Sequence, residues 1–254
     1  MDRVGRRDLP GSRPRYDRAV PGNQHGRLSL LVAVFVPLVI LGNSLVILLV
    51  PWMPDLQYAL PGFPADEFGL ERAERADLAE TGVRSIWPVG RGTDLLSEAR
   101  LPDGGEAFRE SEISHMDDVR ALVRGVLIAW LVAVAGLVAT LARSWNRAGG
   151  PGRAGWTGLR WGGMATLALF GAVGLLMLVG FDAAFDGFHG IFFEGDSWKF
   201  DDDFTLRRLY PDAFWGIAAA WLLILVVAQA LGLLLWSRAG GRGGTGPQPP
   251  QASQ

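Results

Sequence analysis

Four stretches of this 254-residue chain run for about twenty residues with almost no charge, the length an α-helix needs to cross the hydrocarbon of a bilayer. They span Leu28 to Val50, Ala121 to Ala142, Trp161 to Phe181 and Ala213 to Trp236. Apolar residues make up 49% of the chain and gather in these blocks, which excludes a single water-soluble core. Lipid offers no partner to an unpaired backbone amide, so each block is expected to be a helix. Arg124, near the start of the second block, can extend its charged head to the interface. Trp161, Trp215, Trp221 and Trp236 stand at or near block ends, where indole rings favour the headgroup layer. The first block is longer than a signal-peptide core, and Pro51-Trp52-Met53-Pro54 follows it instead of a small-x-small cleavage site. It is read as an uncleaved anchor.

Charge sets the expected orientation. Residues 1–27, the connection 143–160 and the tail after Trp236 together hold 13 arginines and 3 acids. The connections 51–124 and 182–212 hold 11 basic and 23 acidic residues. By the positive-inside rule both termini face the cytoplasm, and the two long connections lie outside the cytoplasmic membrane. The chain divides into a basic arm (1–27), a four-helix membrane domain with outer loops 51–120 and 182–212 (28–236), and a tail (237–254). Arm and tail, rich in Arg, Pro, Gly and Gln, are expected to be disordered.

The two outer loops are too long for bare connectors and are expected to build a small extracytoplasmic domain. Phe68 to Ala79 has helical composition. Leu95 to Leu101 and Ala107 to Ile113, joined at Pro102-Asp103-Gly104-Gly105, read as a β-hairpin. The fold class is therefore an all-α membrane protein of four spans carrying a small α+β outer domain. The second outer loop is dense in aromatics: Phe181, Phe185, Phe188, Phe192, Phe193, Trp198, Phe200, Phe204 and Tyr210. So many rings beside water require a surface to bury them.

Candidate chemistry converges on two of the three histidines. His115 lies just before the second span and His189 about two turns after the third, so both rings are expected at one depth near the outer headgroups. Histidine takes and gives protons near neutral pH, and two at one depth can serve one reaction as base and acid. Asp117 and Asp118 follow His115, and Asp186 precedes His189; a carboxylate on one imidazole nitrogen orients the ring. A bland reading stands beside this one, in which each ring only satisfies a local hydrogen bond. His189, between Gly187 and Gly190 and among aromatics, is expected to be buried, neutral and the base. His115, beside Glu112, Asp117 and Asp118, is expected to carry the proton as acid or electrostatic partner.

Other chemistries lack their residues. With no cysteine there is no thiolate ligand, no cysteine nucleophile and no disulfide. Two outer histidines without His-x-x-x-His do not make a zinc set, and no metal or other cofactor is expected. Gly-x-Ser-x-Gly and phosphate-binding loops are missing, and no nucleic-acid partner is expected.

The block Phe188-His189-Gly190-Ile191-Phe192-Phe193, followed by Trp198, Leu206, Tyr210-Pro211 and Phe214-Trp215, is distinctive. So is Glu112-Ile113-Ser114-His115-Met116-Asp117-Asp118-Val119 at the start of the second span. Together, from Leu28 to Trp236, they resemble the bacterial lipoprotein intramolecular transacylase family. The resemblance implies four membrane helices, a small extracytoplasmic domain and two essential histidines at the positions of His115 and His189. It also implies diacylglyceryl-modified lipoproteins and membrane lipid as partners. The sn-2 acyl chain would pass from the glyceryl oxygen to the α-amine of the lipoprotein's N-terminal cysteine. Phe188, Phe192 and Trp198, with Asp117, Asp118 and Asp186, are the expected orienting or substrate-binding residues. The alternative is a non-catalytic membrane protein that binds a partner, or senses pH, through its acidic outer domain.

Overall fold

The computed structural model describes residues 22–145 and 150–242. In chain order its helices are α1 (Gly22–Leu48), α2 (Met53–Tyr58), α3 (Arg72–Ser85), α4 (Asp94–Glu98), α5 (Glu110–Ser144), α6 (Arg153–Val179), α7 (Phe181–Phe192), α8 (Thr205–Leu209) and α9 (Asp212–Arg242). α1, α5, α6 and α9 are long and apolar enough to cross a membrane, and each contains one of the four expected spans almost entirely. Helix reaches into the flanks expected to be disordered, since α1 starts at Gly22 and α9 runs to Arg242. The rest of the arm and tail lies outside the described residues.

Close approach of helices in lipid favours small residues, because hydrophobic burial gives no net drive there. α6 carries Gly158 and Gly162 one turn apart. A Cβ at Gly158 would stand 2.5 Å from Cβ of Val32, and one at Gly162 would stand 2.6 Å from Cβ of Val36. On another face of α6, Gly163 receives Leu234 of α9. Gly42 of α1 makes room for Trp130 of α5, and Gly136 of α5 for Phe35 of α1. α1 thus packs against all three other spans, and its Val32, Val36 and Ile40 form the bundle core with Leu159, Phe170, Val226 and Ala230.

A polar chain also crosses the bundle. Trp130 donates its indole N–H to Asn43 (3.0 Å), and Asn43 donates to the Gln229 side-chain oxygen (3.1 Å). Gln229 in turn donates to Ser44 (2.8 Å) and to the Leu225 carbonyl (3.1 Å). Polar side chains at such depth require partners, and these tie α1 to α5 and α9.

The short helices gather at the end where α1 and α6 finish and α5 and α9 begin. Their core combines both long connections: Tyr58, Leu78, Ala79 and Leu96 from the first, Leu206 and Leu209 from the second, with Met116 and Phe214 from the spans. Cross-ties are specific. The Tyr58 hydroxyl donates to the Leu209 carbonyl (2.6 Å), and the Tyr210 hydroxyl to that of Ala79 (2.7 Å). Asp66 accepts two hydrogen bonds from the Arg208 guanidinium.

The expected α+β character of this cap is corrected. Among the described residues there is no strand; the intended hairpin is reduced to one antiparallel bridge, Arg100 to Glu106, around the turn. Leu101 N–H donates to Gly105 and Ala107 N–H to Ala99, with Gly104 at φ +87°. Asp94–Glu98 is helical, and Ile113 already belongs to α5. Two lone strands are marginal without a third, and acids at 110 and 112 favour a helix start. The helix expected from Phe68 forms instead at Arg72. Asp66 takes the amides of Phe68 and Leu70, Gly69 sits at φ +94°, and Glu71 and Glu74 make a capping box.

Glycine placement predicts a contrast. Gly162→Leu should destabilise the bundle by about 3 kcal/mol, the upper part of the range for overpacking. Gly171→Leu, with nothing near its added Cβ, should leave stability within about 0.5 kcal/mol of the parent. Thermal unfolding in detergent checks this; equal melting points for the two variants would refute the packing assignment.

Candidate active site

His115 occupies the second turn of α5, and His189 the last turns of α7. The chain folds them together because α6 leads through Gly180 directly into α7, which turns back over the start of α5. Both rings are buried, each 9% exposed. Phe193 stands between them, its ring centroid 4.9 Å from His115 and 5.5 Å from His189. Phe200 closes the other side of His115 at 5.5 Å.

His189 is held on several sides. Phe185, one turn back, lies 4.1 Å away, Trp198 stacks on the imidazole at 4.6 Å with planes 29° apart, and Phe188 meets it edge-on at 5.4 Å. Its Nδ1 is 2.8 Å from the Phe185 carbonyl oxygen. A carbonyl only accepts, so Nδ1 carries the hydrogen and Nε2 of the neutral ring keeps its lone pair. The orienting partner is thus a backbone carbonyl. Asp186, expected in that role, is exposed and acts on His189 only through its charge.

The carboxylates around His115 are also arranged differently from expectation. Glu112 is completely buried, but it accepts the Arg109 amide (2.8 Å) and the Leu206 amide (2.6 Å). Asp117 accepts the Thr93 hydroxyl at 2.7 Å. Asp118 is exposed and senses His115 only at a distance. His115 Nδ1 is buried and has no hydrogen-bond partner among the described residues. The carboxylates expected to keep a proton on His115 are therefore not its partners.

Of the expected orienting residues, Trp198 and Phe188 touch His189, whereas Phe192 contacts Phe188 and faces outward with Ile191. Phe185, Phe193 and Phe200 were not among the candidates, yet they wall the two imidazoles. The spacing Phe185, His189, Phe193 is the available signal, since residues four apart share a helix face. Among the described residues no three His, Asp or Glu groups lie close enough to hold a metal ion.

Burial of the ring holds the His189 pKa below the ordinary histidine value of 6.5, against the opposing influence of the Phe185 carbonyl and Asp186. The unfolded chain then binds more protons than the folded one in the window from 6.5 down to the lowered value. Stability at that site is present above pH 6.5 and lost as pH falls through this window. Melting curves at pH 7.5 and 5.5 should therefore show a smaller acid-induced drop for His189→Gln than for the parent; identical drops would contradict the assignment.

Comparison with known proteins bears on this geometry. The chain matches the family model "Lipoprotein intramolecular transacylase Lit" over residues 30–215. An uncharacterized protein from Aquifex aeolicus (strain VF5) is 30% identical over 202 residues, covering 78% of this chain and 87% of that protein. The membrane integral lipoprotein intramolecular transacylase Lit from Bacillus cereus has the same fold, with TM-score 0.71 and 16% identity, covering 87% of this chain and 98% of that one. A variant of that enzyme with a histidine replaced by arginine gives TM-score 0.68 at 15% identity, covering 87% and 94%. The chain, with its four membrane-spanning helices, belongs to the lipoprotein intramolecular transacylase family of membrane enzymes.

Proposed function

We propose that this chain moves the sn-2 acyl chain of a diacylglyceryl-lipoprotein from the glyceryl oxygen to the α-amine of the N-terminal cysteine, using His189 and His115 at one centre. The observation that carries this reading is the His189 tautomer: Nδ1–H is engaged by Phe185, so Nε2 is a free acceptor in a buried wall shared with the second imidazole. An α-amine with pKa near 7.7–8.0 is mostly ammonium at neutral pH and must lose one proton to solvent before its lone pair can attack. His189 Nε2 accepts the proton lost as the amine attacks the ester carbonyl.

The departing glyceryl oxygen then needs a proton. An imidazole accepts at one nitrogen and donates at the other, so His115 can pass one across without a carboxylate behind it. The amine and the ester belong to one molecule, so holding it correctly replaces a second binding event. Neither a metal nor a covalent nucleophile takes part in this scheme. The acyl chains lie along the spans and the aromatic cap covers the head.

The same reading places the histidine end outside the cytoplasmic membrane and the arginine-rich end inside. The support is the charge difference between the two sets of connections. Because the chain has no cysteine, single cysteines report topology directly. Val89→Cys, at a highly exposed position in the cap, should react with a membrane-impermeant maleimide in intact cells, and Arg153→Cys only after permeabilisation. The reverse pattern would invert the topology.

For the chemistry, the full-length protein is expressed in bacteria lacking lipoprotein N-acylation, and lipoprotein N-termini are read by mass spectrometry. The expected product is lyso-form lipoprotein with an acylated α-amine. His189→Gln and His115→Gln should each lower its rate of formation by about 10²–10⁴-fold, the usual share of a proton-transfer group. An unmodified amine with the parent protein well expressed would refute the proposed reaction.

A further inference from the structure

The acyl carbonyl becomes an oxyanion when the amine adds to it, and a buried site has to supply a donor for that charge. Two polar atoms in the wall around the histidines are buried without a partner among the described residues: Nδ1 of His115 and Nε1 of Trp198. The indole nitrogen can only donate. Buried tryptophan N–H groups usually find an acceptor, so one left without a partner on a ring stacked against His189 is available for a ligand.

The setting of Trp198 narrows its role. The indole lies face to face with His189, 4.6 Å between centroids, so its in-plane N–H is not aimed at the imidazole. Phe185 meets it edge-on at 6.2 Å, and Phe185 also packs against His189 and Trp215, so the indole is held by rings that are themselves held. Lys199, the neighbouring cation, is paired with Asp196 at 2.8 Å and is exposed.

We propose that the Trp198 indole N–H donates a hydrogen bond to the ester carbonyl oxygen and strengthens it as that oxygen becomes an oxyanion. This rests on the transacylase reading above. In the step, the amine lone pair forms a C–N bond to the acyl carbon, and the carbonyl π pair moves onto oxygen, where Trp198 receives it. His189 takes the amine proton. The pair on oxygen then re-forms the carbonyl, the bond from carbon to the glyceryl oxygen breaks, and that oxygen takes up one proton. One ester and one amine give one amide and one alcohol, with no redox change and no net proton. His189 and Trp198 thus act on adjacent atoms of one tetrahedral carbon from stacked rings.

The test uses the purified full-length protein in phospholipid vesicles with a synthetic diacylglyceryl-cysteinyl peptide, the amide product being quantified by mass spectrometry. At position 198, the benzothiophene analogue of tryptophan keeps the shape and stacking but has sulfur in place of N–H, and Trp198→Phe removes the N–H with some of the ring. The proposal expects both to lose about 10²-fold or more in kcat with KM within about twofold, as removal of an oxyanion donor does. 5-Fluorotryptophan, which retains the N–H, should stay close to the parent. A benzothiophene variant turning over at the parental rate would overturn the proposal while leaving the transacylase reading intact. A loss confined to KM would assign Trp198 to binding alone and overturn it as well. A parent protein that forms no amide would remove the reading on which the proposal stands.

Discussion

The carboxylate of Glu112 holds the cap to the bundle. One of its oxygens accepts the amide of Arg109 and closes the first turn of α5; the other accepts the amide of Leu206 at the start of α8. The residue is fully buried, so neither bond has water as a substitute. Through it, the segment that follows the aromatic helix is tied to the turn that carries His115. Thr205 adds a bond from its hydroxyl to the Ala107 carbonyl beside it. The ion pair between Arg109, at the start of α5, and Asp203 adds a third link across the same junction.

Below that junction the bundle is rigid for a different reason. Glycines let α6 approach α1 and α9, and a chain of hydrogen bonds from Trp130 through Asn43 and Gln229 to Ser44 joins three of the four spans. A reaction that depends on two imidazoles meeting one substrate carbon needs helices whose ends keep their spacing. In lipid, close van der Waals packing and internally satisfied polar groups provide that spacing.

How far the residues alone foretold this arrangement follows from the range of each force. Spans were legible because length and absence of charge are properties of a single segment. The histidine pair was legible because each ring lies a short, countable distance from a span end. The hairpin was misread because strand pairing is decided by neighbours, and here α4 and α5 claim its residues. Sequence proximity also misled at the carboxylates. Asp117 is two residues from His115, so it leaves the helix on a different side and reaches Thr93. Asp186 is on an adjacent face of α7, yet the Phe185 carbonyl meets the ring first. Glu112 was expected beside His115 as a carboxylate favouring its proton, and only the fold reveals Leu206 opposite it.

The outward face of α7, with Phe188, Ile191 and Phe192, borders a site set at the end of four membrane helices. For the proposed reaction, this location changes what concentration means. A lipidated substrate meets such a site by diffusing sideways within the leaflet, so encounter frequency follows its mole fraction among the lipids and is indifferent to the volume of the surrounding water. Its tails stay among other tails throughout, and only the glyceryl-cysteine head has to leave its solvent. Very little work is then spent on extraction, and turnover is set by crowding in two dimensions.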